Sequence, residues 1–186
     1  RVFTQCECDD GQKSNAIVLR ASSDCTHRRD MSLIRALEAI TTPLRNPDEV
    51  FKNIVKLADG STSQVFTAIS EDRGRKVALK CMNVFKQRRR ELVLNEASVS
   101  RFLRHHCIIE TFDVYLVDNC HLWISSEYMD AGPLTHIVTC QRMNDEQIAA
   151  VAKSVLRALE YMHVHGIVHR DVKSDSVLLS TSGKVK

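Results

Sequence analysis

The chain predicts an α+β fold in which strands and helices are segregated along the sequence. Three observations carry this. Short β-branched runs separated by turn residues fill positions 54 to 82, a helical stretch interrupts the strand series after them, and a long 3.6-residue apolar period follows Asn144. Strands with one inserted helix, followed by helix, is not the alternation that builds a parallel βαβ sheet.

Residues 1–29 are polar and aperiodic, and read as an irregular tail. Residues 30–52 form an N-terminal helical extension: Asp30 caps it, Leu33, Ile34, Leu37 and Ile40 share one face, and Pro43 ends it. Strands are expected at Ile54–Ala58, Val65–Ile69 and Val77–Met82, with turns at Asp59-Gly60 and Glu71-Asp72-Arg73-Gly74. A helix from Glu91 to near Arg104 precedes strands Val114–Val117 and Leu122–Ser125. The strongest helix runs from Asn144 to near Val164. Asn144 and Gln147 compose a capping box, and Gly166 stops the helix. Ile148, Val151, Ala152, Val155 and Leu159 fall on its buried face.

With 44% hydrophobic and 26% charged residues, the composition is that of a soluble globular protein. The chain has no apolar run near the ~20 residues of a membrane helix, and no basic-then-apolar leader. A net charge of +3 does not argue for nucleic acid. The basic run Lys86-Gln87-Arg88-Arg89-Arg90 reads as a solvated helix start. Cys81, Cys107, Cys120 and Cys140 sit among apolar neighbours as reduced thiols. Cys6, Cys8, Cys25 and His27 lack zinc-site spacing, and His163, His165 and His169 make an unconvincing metal set.

The stretch His169-Arg170-Asp171-Val172-Lys173-Ser174-Asp175-Ser176 resembles the catalytic loop of a protein kinase. Val77-Ala78-Leu79-Lys80 resembles the V-A-I-K strand, and Glu96 follows one helix later. Alone, Lys80 and Glu96 would be an ordinary strand lysine and a solvated helix glutamate; their order before Asp171 gives them weight. Glu127-Tyr128-Met129-Asp130-Ala131-Gly132 resembles the kinase hinge.

From Asp30 onward the sequence looks like the PAK family, kinases activated by Rho-type GTPases, and more narrowly like its group II. The motifs are Gly60-Ser61-Thr62, Phe85-Lys86-Gln87 leading into Arg89-Arg90-Glu91-Leu92, Leu122-Trp123, Leu134-Thr135, Arg142 through Ala149, and Lys173-Ser174-Asp175-Ser176. The resemblance implies a bilobal kinase fold over 53–186, with an antiparallel-sheet N-lobe (53–126), a hinge (127–132) and a partial, helical C-lobe (133–186). It implies ATP and Mg²⁺ as cofactors. Asp171 is then the base and Lys173 the cation on the γ-phosphate; Lys80, paired with Glu96, takes the other phosphates. Gly60 and Ser61 belong to the phosphate loop, and Val65, Ala78 and Leu179 enclose the adenine, although core packing explains these apolar residues equally well. The adenine edge meets backbone groups of Glu127 and Met129, with Ser126 as gatekeeper. Ser176 stands at a Mg²⁺-ligand position, as group II members have it. The resemblance further implies protein substrates with basic residues before the Ser or Thr, Rho-type GTPase signalling and a cytoplasmic setting.

Three departures stand out. The loop pattern G-x-G-x-x-G is Ala58, Gly60, Ser63 here, which adds side-chain bulk and weakens nucleotide binding. His136 replaces an acidic residue of the group, and Pro133 a small one. The sequence stops ten residues past Ser176, before an Asp-Phe-Gly motif. Residues 1–186 alone are therefore expected to express poorly and not to transfer phosphate, with the apolar stripe of the Asn144 helix facing water. The alternative reading is a pseudokinase or truncated paralogue acting as a binding module.

Overall fold

The computed structural model describes residues 31–44, 46–60, 62–87 and 89–186. Asp30, Ser61, Arg88, the tail and its cysteines lie outside them. The described residues form two compact units, 31–102 with 111–128 and 103–110 with 129–186.

The first unit is a six-stranded sheet with two helices. Helix α1 (Met31–Glu38) buries Leu33, Ile34 and Leu37, the predicted face. It stops at Glu38, well before Pro43, which lies instead in a short strand β1 (Thr42–Leu44). Strands β2 (Phe51–Asp59), β3 (Ser63–Ser70) and β4 (Arg75–Asn83) follow. Helix α2 spans Arg90–Phe102, and β5 (Thr111–Val117) and β6 (His121–Glu127) close the unit. The strand order is β1-β5-β6-β4-β3-β2. All pairings are antiparallel, as expected, except that β1 adds to β5 in parallel. The expected turns close, Gly60 N–H donating to Ser63 C=O at 2.7 Å and Gly74 adopting φ of 58°.

Alternation along the strands divides the unit into two cores. Met82, Val114, Leu116, Leu122 and Ile124 pack with Val93 and Ala97 of α2 and with the apolar face of α1. Phe51, Phe66, Leu79, Tyr115 and Trp123 pack on the opposite face. Phe66 and Trp123 stack there with rings 5° from parallel.

The second unit holds α3 (Leu134–Cys140), α4 (Asp145–Val164) and the small pair β7 (Gly132–Pro133) and β8 (Leu178–Leu179). Pro133 caps α3 with an extended backbone, where its missing N–H costs nothing. The capping box of α4 forms: Gln147 N–H donates to Asn144 Oδ1 at 2.8 Å, and Asn144 N–H donates to Gln147 Oε1 at 3.0 Å. Gly166 takes φ of 72° beyond the helix end.

The buried stripe of α4 is narrower than expected. Val151 is buried and Val155 packs against Ile137, Val177, Leu179 and Val185, but Ile148 is 53% exposed and Ala152 is also exposed. The elements packed on α4 cover one edge of the stripe, so Ile148 and also Leu156 face solvent. Cys81, Cys107 and Cys120 are buried free thiols as expected, whereas Cys140, at the end of α3, is exposed.

Candidate active site

In the first unit, strand register sets the site. Val65 pairs with Lys80, Thr67 with Ala78, and Ala78 with Ser126. Side chains of residues in register share a face. Val65, Ala78, Lys80 and Ser126 therefore lie on one surface of the sheet, the same surface that carries α2. Lys80 Nζ reaches Glu96 Oε1 at 2.5 Å. The side chains are 43% and 39% exposed, so the ammonium is open to an incoming anion. Val65 and Ala78 are half-buried, as residues bordering a ligand must be.

The hairpin between β2 and β3 is tightly closed. A methyl group on Gly60 would stand 3.1 Å from Ser63 C=O and 3.2 Å from Ser63 Oγ. A side chain at the middle position would crowd the turn, and Ser63 adds bulk where the pattern has none. Sequence reasoning missed a contact that holds this loop. Gln87 Nε2 donates to Thr62 C=O at 2.8 Å and to Asn83 C=O at 3.2 Å, fastening the hairpin to the segment before α2. Its motif membership was visible in the sequence, but its partners, being backbone carbonyls, left no signal. Glu127 ends β6 opposite Val77.

In the second unit the residues 169–176 are exposed. His169 Nδ1 accepts the Asp171 N–H at 3.3 Å, and Arg170 takes a left-handed backbone with φ of 66°. Lys173 Nζ stands 2.8 Å from Asp171 Oδ2. The hydrogen bond and charge of Lys173 hold the Asp171 carboxyl below its ordinary range, and Asp171 in turn raises Lys173. Asp171 is therefore an ionised acceptor at neutral pH. Ser176 Oγ donates to Asp171 C=O at 3.1 Å. Its lone pairs stay available to a hard cation, yet a single neutral hydroxyl falls short of the carboxylate-rich oxygen set that Mg²⁺ prefers. Leu179 is fully buried among Ile137, Val177 and Val185, the packing role the sequence left open for it. Met129 is buried, and its carbonyl accepts the Gly132 N–H at 3.1 Å. His163, His165 and His169 do not gather as a ligand set among the described residues.

Comparison with known proteins decides the family. The model of the protein kinase domain matches residues 51–186. This chain belongs to the protein kinase family. Within that family it is similar to PAK kinases. It is 44% identical over 151 residues to serine/threonine-protein kinase PAK 5 of Rattus norvegicus, covering 81% of this chain and 21% of the relative. It is 45% identical over 152 residues to PAK mbt of Drosophila melanogaster, 82% and 24% of the two chains. It is 44% identical over 151 residues to PAK 4 of Homo sapiens, 81% and 25%. The chain thus spans between a fifth and a quarter of the length of these relatives. As a kinase-domain piece it carries the fold for nucleotide and divalent-metal use that the family has in general, and no described helix is long and apolar enough to cross a membrane.

Proposed function

We propose that this chain is the N-terminal extension (30–52) and part of the catalytic domain (53–186) of a kinase that moves the ATP γ-phosphoryl group to a Ser or Thr hydroxyl. The observation that carries this reading is the Lys80–Glu96 pair, which fixes a solvent-reachable cation on the sheet surface bearing Val65 and Ala78. In that role Lys80 binds the α- and β-phosphates, and Gly60 and Ser61 let backbone N–H groups approach the phosphates. Glu127 C=O and Met129 N–H meet the adenine edge, with Val65 and Ala78 in its apolar surround.

Asp171 accepts the substrate hydroxyl proton as its oxygen bonds to the γ-phosphorus and the bridging bond to ADP breaks; Lys173 steadies the transferred group's charge. Mg²⁺, when bound, neutralises the phosphate oxygens, with Ser176 as one weak ligand. Acceptors with basic residues before the Ser or Thr, control by a Rho-type GTPase and a cytoplasmic setting complete the proposal, and rest on kinship with PAK kinases. The test uses the full-length gene product: it phosphorylates a basic Ser peptide, and Asp171→Asn abolishes the transfer. Nucleotide binding without transfer in the unaltered protein would instead favour a binding module.

A further inference from the structure

Three consecutive residues in the second unit gather chemistry that the kinase reaction does not use. His105, His106 and Cys107 sit in a turn closed by the Ile108 N–H donating to His105 C=O at 3.0 Å. Turning the chain there brings one nitrogen from each imidazole and the Cys107 sulfur within 4.8 Å of one another. We propose that His105, His106 and Cys107 bind a zinc-class transition-metal ion.

The ligand set is specific in kind. Two imidazoles and a thiolate are borderline-soft donors, which suit Zn²⁺ and disfavour Mg²⁺ or Ca²⁺. In a tetrahedral zinc site, bond lengths of about 2.0–2.3 Å set the donors about 3.3–3.7 Å apart. The turn must therefore close by about 1 Å at its widest, a shift that falls to the exposed His106 side chain. His105 is already held: its ring stacks on Tyr161 at 4.9 Å, 18° from parallel. Tyr161 in turn lies against the His165 ring, and the His105 and His106 rings are 4.1 Å apart. Cys107 is buried at 5% exposure, which shields the sulfur on the protein side.

Two features oppose binding. Arg157 and Lys186 bring positive charge to His105, offset in part by Glu160. His105 Nδ1 also accepts the Cys107 N–H at 3.2 Å, a bond that ligation through this nitrogen would replace. Neither removes the donor set, because thiolate ligation itself cancels one unit of the ion's charge. On binding, the S–H bond breaks, its proton leaves to solvent and a metal–sulfur bond forms. Water completes the coordination on the exposed His106 side.

The test is Co²⁺ titration of the chain with Cys6, Cys8 and Cys25 changed to Ser, so that the tail contributes no thiolate. The expected result is a sulfur-to-cobalt charge-transfer band that Zn²⁺ displaces. Cys107→Ser abolishes the band, and His106→Gln, at an exposed position that leaves folding intact, weakens affinity at least about tenfold. Absence of the band, or equal Co²⁺ affinity in parent and His106→Gln chains, would overturn the site.

Discussion

Lys80 on β4 and Glu96 on α2, sixteen residues apart in sequence, meet Nζ to Oε1 at 2.5 Å. Strand register carries Lys80 to the face on which α2 packs, and burial of Val93 and Ala97 turns Glu96 toward it. Both side chains are more than a third exposed, so solvent screens the attraction and the pair contributes little to folding. Lys80→Met should therefore change unfolding free energy by no more than about 1 kcal/mol, measured by urea denaturation. A larger loss would make this a structural pair rather than a positioning one.

Asp171 and Lys173 form the second charged pair, and its pH dependence has a definite sign. Asp171 titrates below its ordinary 3.8 because Lys173 hydrogen-bonds it, so its contribution is complete above 3.8 and lost as pH falls through the lower value. Lys173 titrates above 10.5, so its contribution is complete below 10.5 and lost as pH rises through the higher value. NMR titration should give an Asp171 midpoint below 3.8 that returns toward 3.8 in Lys173→Met. An unchanged midpoint would show that the pair does not persist in solution.

Ser63 crowds the Gly60 turn. Because a Cβ at position 60 would meet both Ser63 C=O and Ser63 Oγ, Gly60→Ala should cost about 1 kcal/mol. Ser63→Gly in the same chain removes the Oγ contact but leaves the carbonyl contact, so it should recover only part of that loss. Full recovery, or none, in thermal unfolding would show that the contact is misassigned.

Gln87 spans from the hairpin to the segment before α2 through one amide nitrogen. Gln87→Met keeps the length and removes both bonds, each worth about 1 kcal/mol. Hydrogen exchange around Thr62 and Ser63 should accelerate while that of α4 stays constant. Equal exchange in both chains would mean the loop is held by its own closure.

Local signals were legible in the sequence, and distant ones were not. The Asn144–Gln147 box needs only four consecutive residues, and it forms as expected. Strand β1 is three residues with a central proline, and its partner β5 comes some way after α2, so nothing local announces a parallel edge strand. Periodicity placed Ile148 and Ala152 with Val151, but periodicity marks a stripe and not the width of its cover. Lys80 and Glu96 were found by motif order, because a half-exposed ion pair has no compositional mark. The tail cysteines, Ser61 and the Asp30 cap lie outside the described residues.

The most direct test of the account is nucleotide-induced stabilisation of the chain with and without Lys80. Mg²⁺–ATP at a hundredfold excess over its Kd should stabilise the protein by about 2.7 kcal/mol, read as a rise in Tm. The rise should vanish in Lys80→Met while the unliganded Tm stays close to that of the parent. An equal rise in both chains, or none in the parent at millimolar nucleotide, would contradict the assignment of the Lys80–Glu96 pair to phosphate binding.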